Sequence, residues 1–172
     1  MRLSRIGFLT ALGIAVLVFA GMAQAQYRND PASRQVLSRM HHVNQMEIRL
    51  GELAMQKGRS QEVRDYGRTL RNDHQMSDRR VTNLAAREGI DLYRIAPSAH
   101  DRMVSRRLQR ARGHAFDREF LNAMANGHAQ VITELTRARR NVRNPEVRRL
   151  IGSTLPALRE HRNMARDFQG QM

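Results

Sequence analysis

The stretch PASRQVLSRMHHVNQMEIRLGELAMQKG (residues 31–58) decides the fold. Its inward-facing positions recur at alternating spacings of four and three residues, the period of an amphipathic α-helix. Proline can open such a helix and glycine commonly ends one, so the spacing predicts a helix over Pro31–Lys57. One position breaks the apolar pattern, because it is a glutamate: the stripe reads Val36, Met40, Val43, Glu47, Leu50 and Ala54.

A second long helix follows, with Ser60 as its predicted N-cap and Gly89 as its stop signal. Its inward stripe also contains an ionisable residue, His74. The stripe reads Val63, Tyr66, Leu70, His74, Ser77, Val81 and Leu84.

Two more long helices lie in the C-terminal half. The third is predicted over residues 115–142, with the stripe Phe116, Phe120, Met124, His128, Val131, Leu135 and Ala138. The fourth starts at Asn144-Pro145, where Asn is the cap and Pro the first helical residue. Pro156 should kink it, and its stripe reads Val147, Leu150, Leu155, Leu158, His161, Ala165 and Phe168.

The segment between the second and third long helices predicts a crossover. Residues 89–100 read as a loop, and residues 101–112 as a short basic helix that ends at Gly113. No strand pattern competes with the helices. We therefore predict an all-α fold, an antiparallel four-helix bundle with a short extra helix in the crossover.

The N-terminus has the pattern of a secretory signal peptide. Arg2 and Arg5 precede an apolar run over residues 6–20, and Ala23-Gln24-Ala25 fits a cleavage site. The run is shorter than the roughly 20 residues that span a bilayer. We expect residues 1–25 to be removed, leaving one domain over residues 26–172 in the periplasm or secreted.

The chain is strongly basic, with a formal net charge of +14 and no cysteine. Such a charge favours anionic partners. Aromatic residues are too few to form a stacking platform among the arginines, which disfavours nucleic acid as a partner. The arginines are dense around the third turn, where an anionic membrane surface or envelope polymer could dock: Arg137, Arg139, Arg140, Arg143, Arg148 and Arg149.

Four motifs resemble a known bacterial family: HHVNQMEIRLGELA (41–54), VRDYGRTLRNDH (63–74), FDREFLNAMANGH (116–128) and LPALREH (155–161). The family is that of domain of unknown function 4142, small exported proteins often labelled outer-membrane proteins. The resemblance implies a ferritin-like four-helix bundle. It also matches the family's recurrent acidic and histidine positions to Glu47, His74, His128 and His161. The Glu-x-x-His pairs of ferritin-like di-iron centres are missing here, which argues against ferroxidase or oxygenase chemistry.

Those four residues also stand out by their position in the predicted bundle. At 1.5 Å per residue, they lie between about 17 and 25 Å from the adjacent helical turns. Burying a carboxylate among apolar side chains is costly without a partner. Two interpretations remain open: a site for a single zinc, copper or iron ion, or a hydrogen-bonded structural quartet.

Two methionines extend the metal interpretation. Met124 lies four residues before His128, and Met164 lies three residues after His161, so each shares a helix face with its histidine. They form a possible outer thioether layer that suits Cu(I). Methionine also fills gaps in ordinary cores.

No nucleophile elbow, phosphate loop or HExxH motif is present. The sequence therefore favours metal handling or sensing over enzymatic turnover. The alternative is a structural or stress-related envelope protein that acts through its arginine-rich end. Asp73 is not expected to point inward, and the remaining histidines are expected in solvent: His41, His42, His100 and His114.

Overall fold

Five helices make up the part of the chain that the computed structural model describes, residues 30–172. In chain order they are α1 (Pro31–Lys57), α2 (Gln61–Arg87), α3 (Ala99–Arg110), α4 (Gly113–Asn141) and α5 (Pro145–Gly170). No strand occurs in residues 30–172, and the predicted all-α bundle is confirmed. None of the helices in this range combines the length and apolar character needed to cross a membrane. The predicted signal peptide lies outside the described residues.

The capping residues fix where the helices begin. Ser60 Oγ accepts a hydrogen bond from Val63 N at 3.2 Å, and Asn144 Oδ1 accepts from Glu146 N at 2.8 Å. The short helix starts two residues earlier than predicted, because Ser98 forms a capping box with Asp101.

Two sequence predictions about the helices concern Gly113 and Pro156. Gly113, the predicted end of the short helix, is instead the first residue of α4, with φ at +55°. Helix α5 is continuous through Pro156, and the kink there stays a prediction.

Glycines bring α1 and α2 unusually close together. A Cβ on Gly51 would lie 2.6 Å from Gly67 O, and a Cβ on Gly67 would lie 2.7 Å from Gly51 O. Only glycine fits at both positions. Helices α1 and α2 therefore form one tight hairpin, and α4 and α5, joined by a short turn, form the other.

Two aspartates fix the height of one hairpin against the other. Asp117, near the start of α4 and only 1% exposed, accepts hydrogen bonds from Arg59 N and Ser60 N in the first hairpin's turn, both at 2.9 Å. At the opposite end, Asp30 accepts from Arg143 N in the second hairpin's turn at 3.0 Å. The bundle is thereby held in register at both ends.

The crossover, residues 88–112, runs back along the face formed by α1 and α4. Tyr93 N donates to Ser38 Oγ at 3.1 Å near its start, and Lys57 Nζ donates to Leu108 O at 2.8 Å near its end. Leu108 is the only buried residue of α3. Because the middle of the crossover has few apolar anchors, it leaves a groove of about 1120 Å³ between itself and the bundle. We call this space the α1–α4 groove.

The hydrophobic core consists of two clusters, one toward each end of the bundle. One surrounds the α4–α5 turn and includes Leu37, Leu84 and Ile151. The other includes the aromatic side chains Tyr66, Phe116 and Phe120. The buried polar residues Glu47, His74, His128 and His161 belong to neither cluster. Their positions on the helices place them between the two.

Candidate metal centre

Three histidines from three helices meet in the polar layer. His74 on α2, His128 on α4 and His161 on α5 are each 2–3% exposed. Their ring centroids lie 5.8 Å (His74–His128), 5.4 Å (His74–His161) and 5.3 Å (His128–His161) apart. One ring nitrogen from each lies within 4.8 Å of the other two. The three form what we call the histidine triad.

Each histidine of the triad bonds outward through one ring nitrogen. His74 Nδ1 lies 2.9 Å from Asn44 Oδ1, and His128 Nδ1 lies 2.8 Å from Met124 O one turn earlier. His161 Nε2 lies 2.9 Å from Asp73 Oδ2 on α2. All three acceptors are oxygens, so in each contact the imidazole N–H donates. These bonds fix both the tautomer and the orientation of the rings.

The other three ring nitrogens have no hydrogen-bond partner among residues 30–172. They are Nε2 of His74, Nε2 of His128 and Nδ1 of His161, all shielded from solvent. A buried polar atom without a partner costs roughly 1–3 kcal/mol. Three such lone pairs facing one another are a set of nitrogen donors suited to a metal ion.

Burial keeps two of these imidazoles in the neutral form that a metal requires. The pKa of His74 is lowered well below its usual value by burial and, less strongly, by the charges of His128 and His161. Burial also lowers the pKa of His161, although its bond to Asp73 acts in the opposite direction. At neutral pH both rings are uncharged and available as ligands.

Glu47 is buried beside the triad but is not part of it. It is 3% exposed, and its Oε2 has no hydrogen-bond partner within residues 30–172. Burial raises its pKa, and the charge of His128 opposes that rise. The sequence predicted that all four groups converge. The structure brings the three histidines within 4.8 Å, whereas Glu47 lines the α1–α4 groove.

The triad fits a metal ion with modest adjustment. Two nitrogens bound to one tetrahedral ion lie about 3.3 Å apart, somewhat closer than the 4.8 Å limit that encloses the three nitrogens. Side-chain rotations of about 1 Å would close this difference.

The two methionines of the predicted thioether layer lie at one side of the triad. Met124 is 2% exposed and belongs to the aromatic cluster, and Met164 packs against the same cluster. Both therefore lie toward the same end of the bundle from the histidines, as their spacing predicted.

Sequence reasoning missed the residues that orient the triad. Asp73 was expected to point away from the core, yet it accepts the His161 hydrogen bond, because its side of α2 faces α5. Asn44 could have been noticed in the sequence, because it is a polar residue one helical turn before Glu47. Tyr66 OH also donates to His161 O at 2.8 Å, which ties α2 to α5 beside the site.

Of the histidines expected in solvent, His42 is the clear exception. Its side chain is only 10% exposed and lies 3.7 Å from Asp101 Oδ2. The crossover covers it, and no local sequence pattern predicts where a crossover lies. His41, by contrast, is partly exposed and lies 2.7 Å from Asp78 Oδ1.

Comparison with known families identifies the chain's relatives. The model of a family described as "Domain of unknown function (DUF4142)" matches residues 19–168, so the chain belongs to this family, as its motifs suggested. No curated protein matches the sequence.

Solved structures share the fold. A DUF305 fragment from Deinococcus radiodurans superposes with a TM-score of 0.72 at 18% identity, covering 83% of this chain and 97% of the fragment. CopM in the Cu(I)-bound form gives a TM-score of 0.67 at 17% identity over 81% of this chain and 96% of CopM. CopM in the Ag-bound form gives 0.65 at 17% identity, with the same coverage. At these identities the likeness concerns the fold alone.

Proposed function

We propose that this member of the DUF4142 family binds one transition-metal ion through Nε2 of His74, Nε2 of His128 and Nδ1 of His161. Its role would be to handle or sense metal in the bacterial envelope after export, without enzymatic turnover. The observation that carries the proposal is the set of three buried ring nitrogens that have no hydrogen-bond partner within residues 30–172. The opposite nitrogen of each ring is already bonded.

The hydrogen-bond pattern favours a metal over a structural quartet. In a quartet, Glu47 would accept hydrogen bonds from the imidazoles, and the polar groups would satisfy one another. Here each histidine bonds to an oxygen outside the triad, and Glu47 Oε2 has no partner among the described residues. An arrangement that orients every ring but satisfies none of the inward nitrogens is typical of ligands held for an ion.

We assign Glu47 the role of a fourth ligand, and Met124 and Met164 the role of an outer thioether layer. Glu47 faces the groove, so ion binding would require its carboxylate to turn toward His128 in the ionised form. Because burial raises the pKa of Glu47, the charge of the ion would supply the compensation that the apolar surroundings lack.

Among the candidate ions we place copper first, ahead of zinc and iron. Imidazole suits all three, whereas a nearby thioether is a soft ligand that favours Cu(I). The structural relative CopM is described in Cu(I)-bound and Ag-bound forms, and silver shares this preference for soft ligands. Zinc would be held equally well by three imidazoles and a carboxylate.

The metal content of the untagged protein, purified from the periplasm, tests this proposal. We expect close to one equivalent of copper, zinc or iron in the wild type, and its loss in His74→Ala and His128→Ala. The apo protein should also take up Cu(I) when titrated in competition with a chromogenic chelator. A wild type that binds none of the three ions, yet is destabilised by both substitutions, would establish the structural quartet instead.

Glu47→Gln separates the fourth ligand from the triad. If Glu47 binds the ion, this variant should keep one equivalent of metal but bind it about 10-fold to 100-fold more weakly. An unchanged affinity would restrict the site to the three histidines.

The arginine-rich end supports a second role, docking to an anionic membrane surface. Its six arginines around the α4–α5 turn are all exposed, and within the described residues only Arg149 has a carboxylate partner, Glu146. Binding to phosphatidylglycerol vesicles that weakens steeply with added salt, and that survives His74→Ala, would support this role. Vesicles that fail to bind the protein at low salt would exclude it.

A further inference from the structure

The α1–α4 groove is far larger than a metal ion requires. It is lined by residues 32–53 of α1 and residues 123–142 of α4, and the crossover covers its outer side. At 1.5 Å per residue these helical walls are about 30 Å long. Its volume of about 1120 Å³ slightly exceeds the roughly 300–1,000 Å³ that is typical of sites for organic ligands.

The floor of the groove is mostly apolar, and the buried Glu47 interrupts it midway. The side chains that form it belong to the inward stripes of α1 and α4, and the crossover contributes an apolar wall opposite them. The floor comprises Val36, Val43, Leu50, Met124, Val131 and Leu135, and the wall comprises Ile95, Ala96, Pro97 and Val104. A long, narrow apolar surface of this kind fits an extended hydrocarbon chain.

The rim of the groove has an excess of positive charge. Arg39 lines the groove and pairs with Glu134 at 3.2 Å. Four other arginines line it without a carboxylate within 4.0 Å in the described part of the chain: Arg49, Arg102, Arg106 and Arg137. The acids that line the groove are fewer than its five arginines: they are Glu134, which pairs with Arg39, Asp101 and the buried Glu47.

Two buried polar atoms belong to side chains that line the groove and have no hydrogen-bond partner within residues 30–172. They are His42 Nε2 and Glu47 Oε2. Both atoms are shielded from solvent, and His42 Nε2 lies 3.7 Å from Asp101 Oδ2. A molecule in the groove could therefore contact either atom only after its side chain turned outward.

We propose that the α1–α4 groove binds a single-chain aliphatic anion of the fatty-acid class. The hydrocarbon chain would lie along the apolar floor, and the carboxylate would face the arginine rim. The groove shares Glu47 and Met124 with the proposed metal centre, but binding of the anion requires no metal ion. Charge complementarity selects an anion over a neutral lipid.

Displacement of the fluorescent fatty-acid analogue dansylundecanoic acid by palmitate tests the proposal on the mature protein. We expect saturable binding of one analogue per chain, and full displacement by palmitate below its micelle-forming concentration. The matching fatty alcohol should compete at least about tenfold more weakly, because it cannot make charge-assisted hydrogen bonds. No saturable binding, or equal competition by the alcohol, would overturn the proposal.

Two pairs of variants locate the site. A Cβ at Gly127, which lines the groove, would have no atom within 4 Å, so Gly127→Phe should fill the groove without a clash at Cβ. Gly170 is equally open and does not line the groove, so Gly170→Phe is the matched control. Gly127→Phe should weaken palmitate binding at least about tenfold, whereas Gly170→Phe should leave it unchanged.

The second pair tests the rim without filling the groove. Arg49→Glu combined with Arg106→Glu should weaken palmitate binding at least about tenfold. Arg159→Glu, on the exposed surface of α5 away from the groove, should not. Helix content by circular dichroism and a cooperative thermal melt, measured on the same samples, identify folded protein. Folded variants of both pairs that bind palmitate as tightly as the wild type would contradict the proposed location.

Discussion

The two hairpins meet along two seams that differ sharply. The α2–α5 seam is closed: Asp73 reaches His161 at 2.9 Å, and Tyr66 OH reaches the His161 carbonyl at 2.8 Å. The α1–α4 seam is clamped at its ends by Asp30 and Asp117, but it opens between them into a groove of about 1120 Å³. The same two hairpins therefore form a closed polar site on one side and an accessible cavity on the other.

This difference shows how a small bundle can hold buried polar groups. In the closed seam the half-exposed Asp73 orients the buried ring of His161, and an unpartnered atom in that buried position is costly. In the open seam, charged side chains remain hydrated, and their positions are less constrained. We therefore expect substitutions in the closed seam to change metal binding, and substitutions in the open seam, apart from Glu47 and Met124, to leave it intact.

The largest expected effect is the loss of the metal ion. His161→Ala removes a ligand in the closed seam and should reduce metal content from about one equivalent to near zero. His42→Ala removes a histidine that lines the open groove and should leave metal content unchanged. Inductively coupled plasma mass spectrometry on both variants measures the difference. Equal loss in the two variants would remove the distinction between the seams.

The second effect concerns the orientation of a ligand. Asp73→Ala removes the acceptor of the His161 hydrogen bond, so the ring loses its fixed tautomer, and metal affinity should fall about 10-fold to 100-fold. Asp78→Ala removes the equivalent partner of His41, which is partly exposed, and should not change affinity. Competition with a chelator measures the metal affinity of both variants. A full-affinity Asp73→Ala variant would show that packing alone orients His161.

The third effect is a pH dependence of the stability of the metal-free protein. The lowered pKa of His74 and His161 means that the unfolded chain binds more protons than the native state below about pH 6.5. The free energy of unfolding should therefore fall as pH drops from 6.5 toward the lowered native values, by up to about 1.4 kcal/mol per pH unit for each imidazole.

Urea denaturation between pH 7.5 and 5.5 measures this slope, with His74→Gln as the control that removes one contribution. Glu47 acts with the opposite sign, because its raised pKa makes the native state retain a proton that the unfolded chain loses above about pH 4.5. A Glu47→Gln background removes that term. If the slopes with and without His74 agree in this background, His74 is not held neutral by the fold.

The smallest expected effect is a difference in stability between two tyrosine substitutions, one in the closed seam and one in the crossover. Tyr66→Phe removes the buried hydrogen bond to the His161 carbonyl and should lower the free energy of unfolding by about 1 kcal/mol. Tyr93→Phe, in the crossover and 40% exposed, should have little effect. Thermal melts of the two apo proteins compare them, and equal melting temperatures would show that the Tyr66 hydroxyl adds nothing to the closed seam.

Sequence patterns predicted the helices well because their signals are local. The bounds of α1 follow from Pro31, Gly58 and the stripe between them, and the structure agrees with all three. The short helix was predicted two residues late because the Ser98–Asp101 capping box was not recognised. Gly113 was read as a helix end, although a glycine with positive φ can equally stand at the start of the next helix.

The histidine triad could be predicted from the position of each histidine on its inward stripe and from its distance to the adjacent turn. Both depend only on counting residues along regular helices. The residues that surround the triad could not be predicted in this way. Asp73 lies beside His74 and not on its stripe, so its contact with His161 depends on how α2 is rotated against α5. Asn44 and His42 likewise acquire their surroundings from a neighbouring helix and from the crossover.

The helices, their order and the common level of the three histidines follow from local sequence, because helical period and capping are properties of neighbouring residues. The packing of the helices, by contrast, sets which ring nitrogens face inward, why Glu47 lines a groove and not the triad, and where the crossover leaves space. Those features depend on distances between helices that are far apart in sequence. Such distances are set by close contacts such as Gly51–Gly67 and by the end clamps Asp30 and Asp117, which no local pattern specifies.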